Sequence, residues 1–120
     1  MNKWVLLEHK VYSANSLDIH YDFLIENDSH CLTWKFLKLP LLNQASIEIT
    51  KQQNHRLVWL SRIEHKLSEN RGFVKRIDHG IFKNVSDKLD SEYCRFILDG
   101  KLLYGLFEIS GNSCRLSKNN

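Results

Sequence analysis

In the run Ile19-His20-Tyr21-Asp22-Phe23-Leu24-Ile25-Glu26, the residues Ile19, Tyr21, Phe23 and Ile25 fall on one side of an extended chain, and His20, Asp22, Leu24 and Glu26 on the other. A period of two is the spacing of a β-strand, and helical spacing fits the run poorly. Cys31 to Leu37 repeats the pattern with Leu32, Trp34 and Phe36, and Asn27-Asp28-Ser29 between the two runs is turn chemistry, so a hairpin is predicted. Further strands are predicted over Lys3 to Glu8, Arg56 to Leu60, Phe73 to Ile77, Arg95 to Leu98, Lys101 to Glu108 and Cys114 to Leu116, with Asp99-Gly100 as a type I′ turn. Leu41 to Asn54 reads as a long polar connection, with a short helix or an edge strand at Ser46 to Thr50. Short strands, brief turns and no long amphipathic helix predict an all-β, mainly antiparallel fold, a small closed or nearly closed β-barrel.

The 120 residues suit a single domain, 1–120, and no repeat, low-complexity segment or linker divides them. With 42% hydrophobic and 26% charged residues the chain is neither disordered nor fibrous. No apolar run has the length of a membrane span, and Trp4-Val5-Leu6-Leu7 ends at Glu8-His9-Lys10, too soon for a signal peptide. Cys31, Cys94 and Cys114 are odd in number and too widely spaced for a metal knuckle or redox pair, and they predict small core hydrophobes in a reducing, cytoplasmic setting. Trp4 and Trp34 are expected in the core. The net charge of +3 is too small to imply a polyanionic partner by itself. Its distribution is more informative, because Lys51 to Arg76 holds seven basic residues against Glu64 and Glu69. Such a run is either a solvated face or one side of a nucleic-acid site.

His20 and Asp22 are two apart on one strand, so both side chains leave the same face and can reach one ion. Two imidazoles and a carboxylate form a facial set that suits a divalent transition metal and leaves positions for water and substrate. His9, at the end of the first predicted strand, is the candidate second imidazole. The bland alternative is that His20 and Asp22 simply face solvent.

Leu7-Glu8-His9, His20-Tyr21-Asp22-Phe23-Leu24-Ile25-Glu26, and Leu32-Thr33-Trp34-Lys35 with Pro40 beyond it, together resemble the 3′-phosphoesterase domain of bacterial DNA ligase D and its small stand-alone relatives. The resemblance runs on through His55-Arg56-Leu57-Val58-Trp59, Glu64, Arg71-Gly72-Phe73-Val74 and Asp78-His79-Gly80 to Leu98-Asp99-Gly100-Lys101-Leu102 and Gly105. Nearly the whole chain is covered, in order. That family is a compact β-barrel that holds manganese at two histidines and an aspartate and trims modified 3′ ends of DNA or RNA. The resemblance implies His9, His20 and Asp22 as ligands of Mn²⁺ or another divalent transition metal, and His55 as the catalytic histidine. It implies a phosphate-contacting role for Lys38, four residues after Trp34. Arg56, Arg71 and Trp59 are the expected substrate contacts. The implied function is 3′-end processing in DNA repair, on nucleic-acid 3′ ends and beside a DNA ligase or end-joining factor, by a monomer away from membranes. The alternative is a catalytically weakened barrel that binds DNA ends or a repair partner.

Four departures accompany the resemblance. Leu24 stands where the ligase D domain has an arginine, and Trp59 where it has a tyrosine. Ten residues separate His9 from His20, about five more than is usual in the family, and no arginine occurs in Ile47 to Lys51 upstream of His55. The expectation drawn from Leu24 is that Leu24→Arg returns a guanidinium to the face of His20 and Asp22 and raises the rate.

Overall fold

The structure, a computed structural model, describes residues 2–67, 72–89 and 92–119. Nine strands follow one another: β1 (Lys3–Ser13), β2 (Ser16–Asn27), β3 (His30–Phe36), β4 (Ile47–His55), β5 (Glu64–Lys66), β6 (Phe73–Asn84), β7 (Tyr93–Asp99), β8 (Tyr104–Ser110) and β9 (Ser113–Ser117). Every strand pairing is antiparallel, and the order β1-β2-β3-β4-β9-β8-β7-β6 returns to β1 through a β1–β6 pairing, so the sheet forms a near-ring with β5 added outside β6. Two strands make the corners by changing partner along their length. β4 pairs with β9 at Ile47 and Glu48 and with β3 from Ile49 onward. β6 pairs with β1 up to Ile81 and with β7 from Phe82. No helix among the described residues is long and apolar enough to cross a membrane.

The inner face holds the main core, which includes Trp4 and Leu6 from β1, Phe23 and Ile25 from β2, and Leu32, Trp34 and Phe36 from β3. Phe23 sits amid it, with ring centroids 5.0 Å from Phe107, 5.9 Å from Trp4 and 6.0 Å from Phe36. The alternation of β2 and β3 thus has the expected cause, and both tryptophans are core residues. A second apolar cluster lies on the outer face of β6-β1-β2-β3, where Val5, Leu7, Leu24, Cys31 and Val74 are covered by Leu60, with Trp59 and Leu67 packed beside them. This double burial explains why Val5-Leu6-Leu7 and Phe23-Leu24-Ile25 are continuous apolar runs.

The cover is formed by Leu57–Leu60, a turn of 3-10 helix rather than the predicted strand. Arg56-Leu57-Val58-Trp59-Leu60 is a short apolar run whose period cannot distinguish a strand from a turn, and packing of Leu60 onto the outer cluster decides it. Of Ser46 to Thr50, expected as a short helix or an edge strand, Ile47 to Thr50 lie in β4, which runs on through the rest of the predicted polar connection to His55. Asp99-Gly100 also differs from its expectation: Asp99 pairs with Tyr104, so a four-residue loop replaces the two-residue turn, and Gly100 does not have the positive φ that a type I′ turn requires.

That loop is shaped from outside by a buried carboxylate. Asp78 Oδ1 accepts from the backbone N–H of His79 at 3.0 Å and of Lys101 at 2.9 Å, while Oδ2 accepts from Leu102 and Leu103, both at 2.8 Å. Hydrogen bonds to a charged acceptor contribute roughly 1.5 to 3 kcal/mol each, and a buried donor left without one carries a penalty. Asp78→Asn, which places an amide NH₂ against these donors, should lower unfolding free energy by about 2 kcal/mol without altering residues on the outer face of β1 and β2. Equilibrium urea unfolding with an unchanged midpoint would show that the loop holds its shape unaided.

All three cysteines are buried, and none of them is in a disulfide. Burial raises the Cys31 thiol to about 11, helped by the nearby negative charge of Glu26, and burial alone pushes Cys114 up to about 12. The unfolded chain therefore loses these protons first, from near the ordinary thiol value of 9, so stability falls as pH rises from about 9 towards 11 and 12. Neither thiol should react with a disulfide reagent at pH near 8 until the protein unfolds. Stoichiometric labelling of the native protein would contradict this.

Candidate metal centre and adjoining cleft

Two rows of outer-face residues, Val5-Leu7-His9 on β1 and Leu24-Asp22-His20 on β2, run from the second apolar cluster to its polar margin. Cross-strand pairing sets them side by side: Val5 with Leu24, Leu7 with Asp22, and His9 with His20. The long separation of His9 and His20 displaces neither residue. The pairing continues past them to Ser13 and Ser16 across the two-residue turn Ala14-Asn15, so the extra residues lengthen the hairpin arms beyond the site. An even number of intervening residues leaves the paired side chains on one face.

At the margin, His9 Nδ1 lies 3.2 Å from His20 Nε2, and His20 Nε2 lies 3.4 Å from Asp22 Oδ2. One ligand-type atom from each of the three falls within 4.8 Å of the others, and among the described residues no other group of three His, Cys, Asp or Glu does so. All three side chains are half-buried. Metal bonds of about 2.0 to 2.2 Å at tetrahedral or octahedral angles set neighbouring donors roughly 3.0 to 3.5 Å apart. The two short separations fall in that range, and the third, bounded by 4.8 Å, closes on a common ion only with movement of the His9 or Asp22 side chain.

His9 and Asp22 also line a small cleft of about 90 Å³ together with Leu7, His55, Trp59, Leu67 and Val74. By volume it takes about three waters or one phosphoryl-sized group. His55 closes β4, where it pairs with Cys31 of β3, and its Nδ1 donates to the Gln53 carbonyl at 3.0 Å. A carbonyl can only accept, so the proton is on Nδ1 and Nε2 is left as the atom for acid or base work. Trp59 stands in the 3-10 turn with the Arg62 guanidinium 4.8 Å from its ring centroid and the His65 ring edge-on at 5.5 Å. One ring face is thereby occupied, and Trp59 forms a wall of the cleft. His65, which sequence reasoning did not assign, positions that wall. It pairs with Val74, which in turn pairs with His9, so only the alternation of three strands could have connected it to the site.

The remaining sequence-derived candidates lie outside the cleft lining. Lys38 is exposed in the loop after β3 and borders a neighbouring cleft instead. Arg56 is exposed at the start of the 3-10 turn, and its carbonyl accepts from the Cys31 thiol at 3.8 Å. Arg71 lies outside the described residues. The structure weighs against one expectation, that of Leu24→Arg. Leu24 shares the face of His20 and Asp22, yet it is fully buried in the outer cluster that includes Leu60, so an arginine there starts from a buried position. The physical reason is the cover itself, which period-two alternation cannot foresee.

Comparison with protein-family models gives no match, and comparison with curated proteins gives none.

Proposed function

We propose that the chain is a metal-dependent phosphoesterase acting at nucleic-acid 3′ ends, a small β-barrel relative of the ligase D 3′-phosphoesterase domain. The observation that carries the reading is the convergence of His9, His20 and Asp22 beside a cleft that His55 and Trp59 also line. His9, His20 and Asp22 would hold a divalent ion, Mn²⁺ by the resemblance. Bound there, such an ion supplies Lewis acidity towards a phosphoryl oxygen and acidifies a water. The chain's own residues account for the rest. His55, its Nδ1 proton committed to Gln53, would act as an acid in its imidazolium form, giving the Nε2 proton to a phosphate oxygen or to the leaving oxygen and keeping the Nδ1 proton on Gln53. Leu7, Val74 and Leu67 make the remaining wall apolar, which strengthens charge interactions in the cleft. Lys51, Arg56, Lys66 and Lys75, exposed basic residues within the run from Lys51 to Arg76, would supply the attraction for a polyanion.

The burial of Leu24 favours a second reading, in which the same site binds an end without turnover, because no arginine stands on that strand face. Incubation of 5′-labelled strands ending in a 3′-phosphate or a single 3′-ribonucleotide, with Mn²⁺ and with chelator, separates the two. Slow removal of the terminal group that stops with chelator is the expected result. Binding with no turnover on either end, under any divalent metal, would replace the enzymatic reading with the second.

A further inference from the structure

Outer-face pairing does not end at Asp22. Asp22 pairs with Lys35 on β3, and Lys35 pairs with Thr50 on β4, so the three side chains form one row across the sheet. Strand spacing of about 4.8 Å puts Lys35 roughly 5 Å and Thr50 roughly 10 Å from the Asp22 column. Lys35 and Thr50 line a cleft of about 300 Å³ with Lys38, Gln52 and Glu48. The lining is two ammonium groups, a hydroxyl and an amide that can each donate, one exposed leucine, Leu37, and one carboxylate. Lys35 is half-buried and forms no ion pair with a described carboxylate: Asp22 engages His20, and Glu48 lies outside pairing distance although it borders the same cleft. A half-buried, unpaired lysine among donors is a site for an anion.

We propose that this cleft, centred on Lys35 and Thr50, holds the phosphodiester and sugar that precede the terminal nucleotide of a single strand. The inference rests on the reading of the metal centre as a 3′-end site, and it assigns the strand's direction of approach: across β3 and β4, with the end at Asp22. Lys35 takes the place of the cation that Leu24 cannot provide, one strand away on the same face. The volume is at the lower end for small-ligand pockets and suits one phosphate with its sugar rather than a whole duplex.

The test uses the full chain and two probes, a short 5′-fluorescent single strand ending in a 3′-phosphate and a 3′-mononucleotide. Affinities are measured in Mn²⁺ and in chelator for wild type, Lys35→Ala, Lys35→Arg, Thr50→Ala and, as a remote control, Lys83→Ala. Lys35→Ala should weaken strand binding about tenfold and lower the salt slope by about 0.7, while leaving the mononucleotide within a factor of about two. Lys35→Arg should retain most of the affinity, and Thr50→Ala should show a smaller loss than Lys35→Ala. Strand affinity in Lys35→Ala equal to that of Lys83→Ala would overturn the inference, and so would equal losses on both probes. Mn²⁺ titration of wild type and His20→Ala is read separately. An absence of metal binding there defeats the metal-centre reading, whereas the Lys35 effect on the strand is measured in chelator and stands or falls alone.

Discussion

Replacing Asp22 by alanine is expected to lower Mn²⁺-dependent removal of a 3′-phosphate by about 10³-fold or more, with His20→Ala close behind. Each variant removes a donor from a set of three whose atoms lie within 4.8 Å of one another. A single electrostatic contact to a reacting oxygen is worth roughly 10² to 10³ in rate, and loss of a ligand removes both the ion's charge and its hold on the substrate. His20 should be no less sensitive than His9, because its Nε2 lies between His9 Nδ1 and Asp22 Oδ2. His55→Ala should cost less, on the order of 10²-fold, as expected for a general acid whose proton water can partly replace. Thermal melts and Mn²⁺ titrations of the same proteins distinguish the causes. Asp22→Ala should melt near wild type, since Asp22 lies at the polar margin of the outer layer rather than within it, and should bind Mn²⁺ weakly. Turnover within tenfold of wild type in Asp22→Ala would remove this residue from the chemistry.

The hairpin from Ser16 to Phe36 was legible because three local signals agree there. These are period two in both arms, turn residues between them, and an Asp28 that accepts the positive φ of 56° the turn needs. His20 and Asp22 share a face for the same reason, and an even separation brings His9 opposite His20. Two of the three candidate ligands were therefore carried by the spacing of β2 alone, and the third by its pairing with β1. What the spacing could not show is everything that approaches from above the sheet. Leu57–Leu60 turns as a 3-10 helix because Leu60 finds an outer apolar layer, a layer assembled from four strands distant in sequence. Glu64–Lys66 is a three-residue strand with no pattern of its own, held by pairing to β6. The loop after Asp99 follows Asp78, more than twenty residues earlier, and not the Asp-Gly pair at its start. Lys35 lay between Trp34 and Phe36, both core residues, and its outward direction was available from alternation. Its significance was not, since that depends on which strands flank β3.

Leu24→Arg, which the family pattern recommends as a restoration, should instead destabilise the protein by about 4 kcal/mol or more. Leu24 is fully buried, flanked by Val5 across one strand pairing and Thr33 across the other, and Leu60 closes over it. Burial of an unpaired charge costs several kcal/mol even after local relaxation, and a guanidinium is larger than the side chain it replaces. To reach water it must displace Leu60 and with it the 3-10 turn that positions Trp59 over the cleft. Loss of rate should therefore accompany loss of stability, in the direction opposite to simple restoration. A domain of this length should melt roughly 12 to 20 °C lower. Leu24→Met, which conserves volume and charge, should cost under about 1.5 kcal/mol and keep Mn²⁺ affinity, so it separates the introduced charge from mere repacking. A Leu24→Arg protein that melts with wild type and turns over faster would mean that the 57–67 segment lifts readily from the sheet. The face of β2 would then be open to substrate as far as position 24, and the strand path assigned through Lys35 would have a competitor.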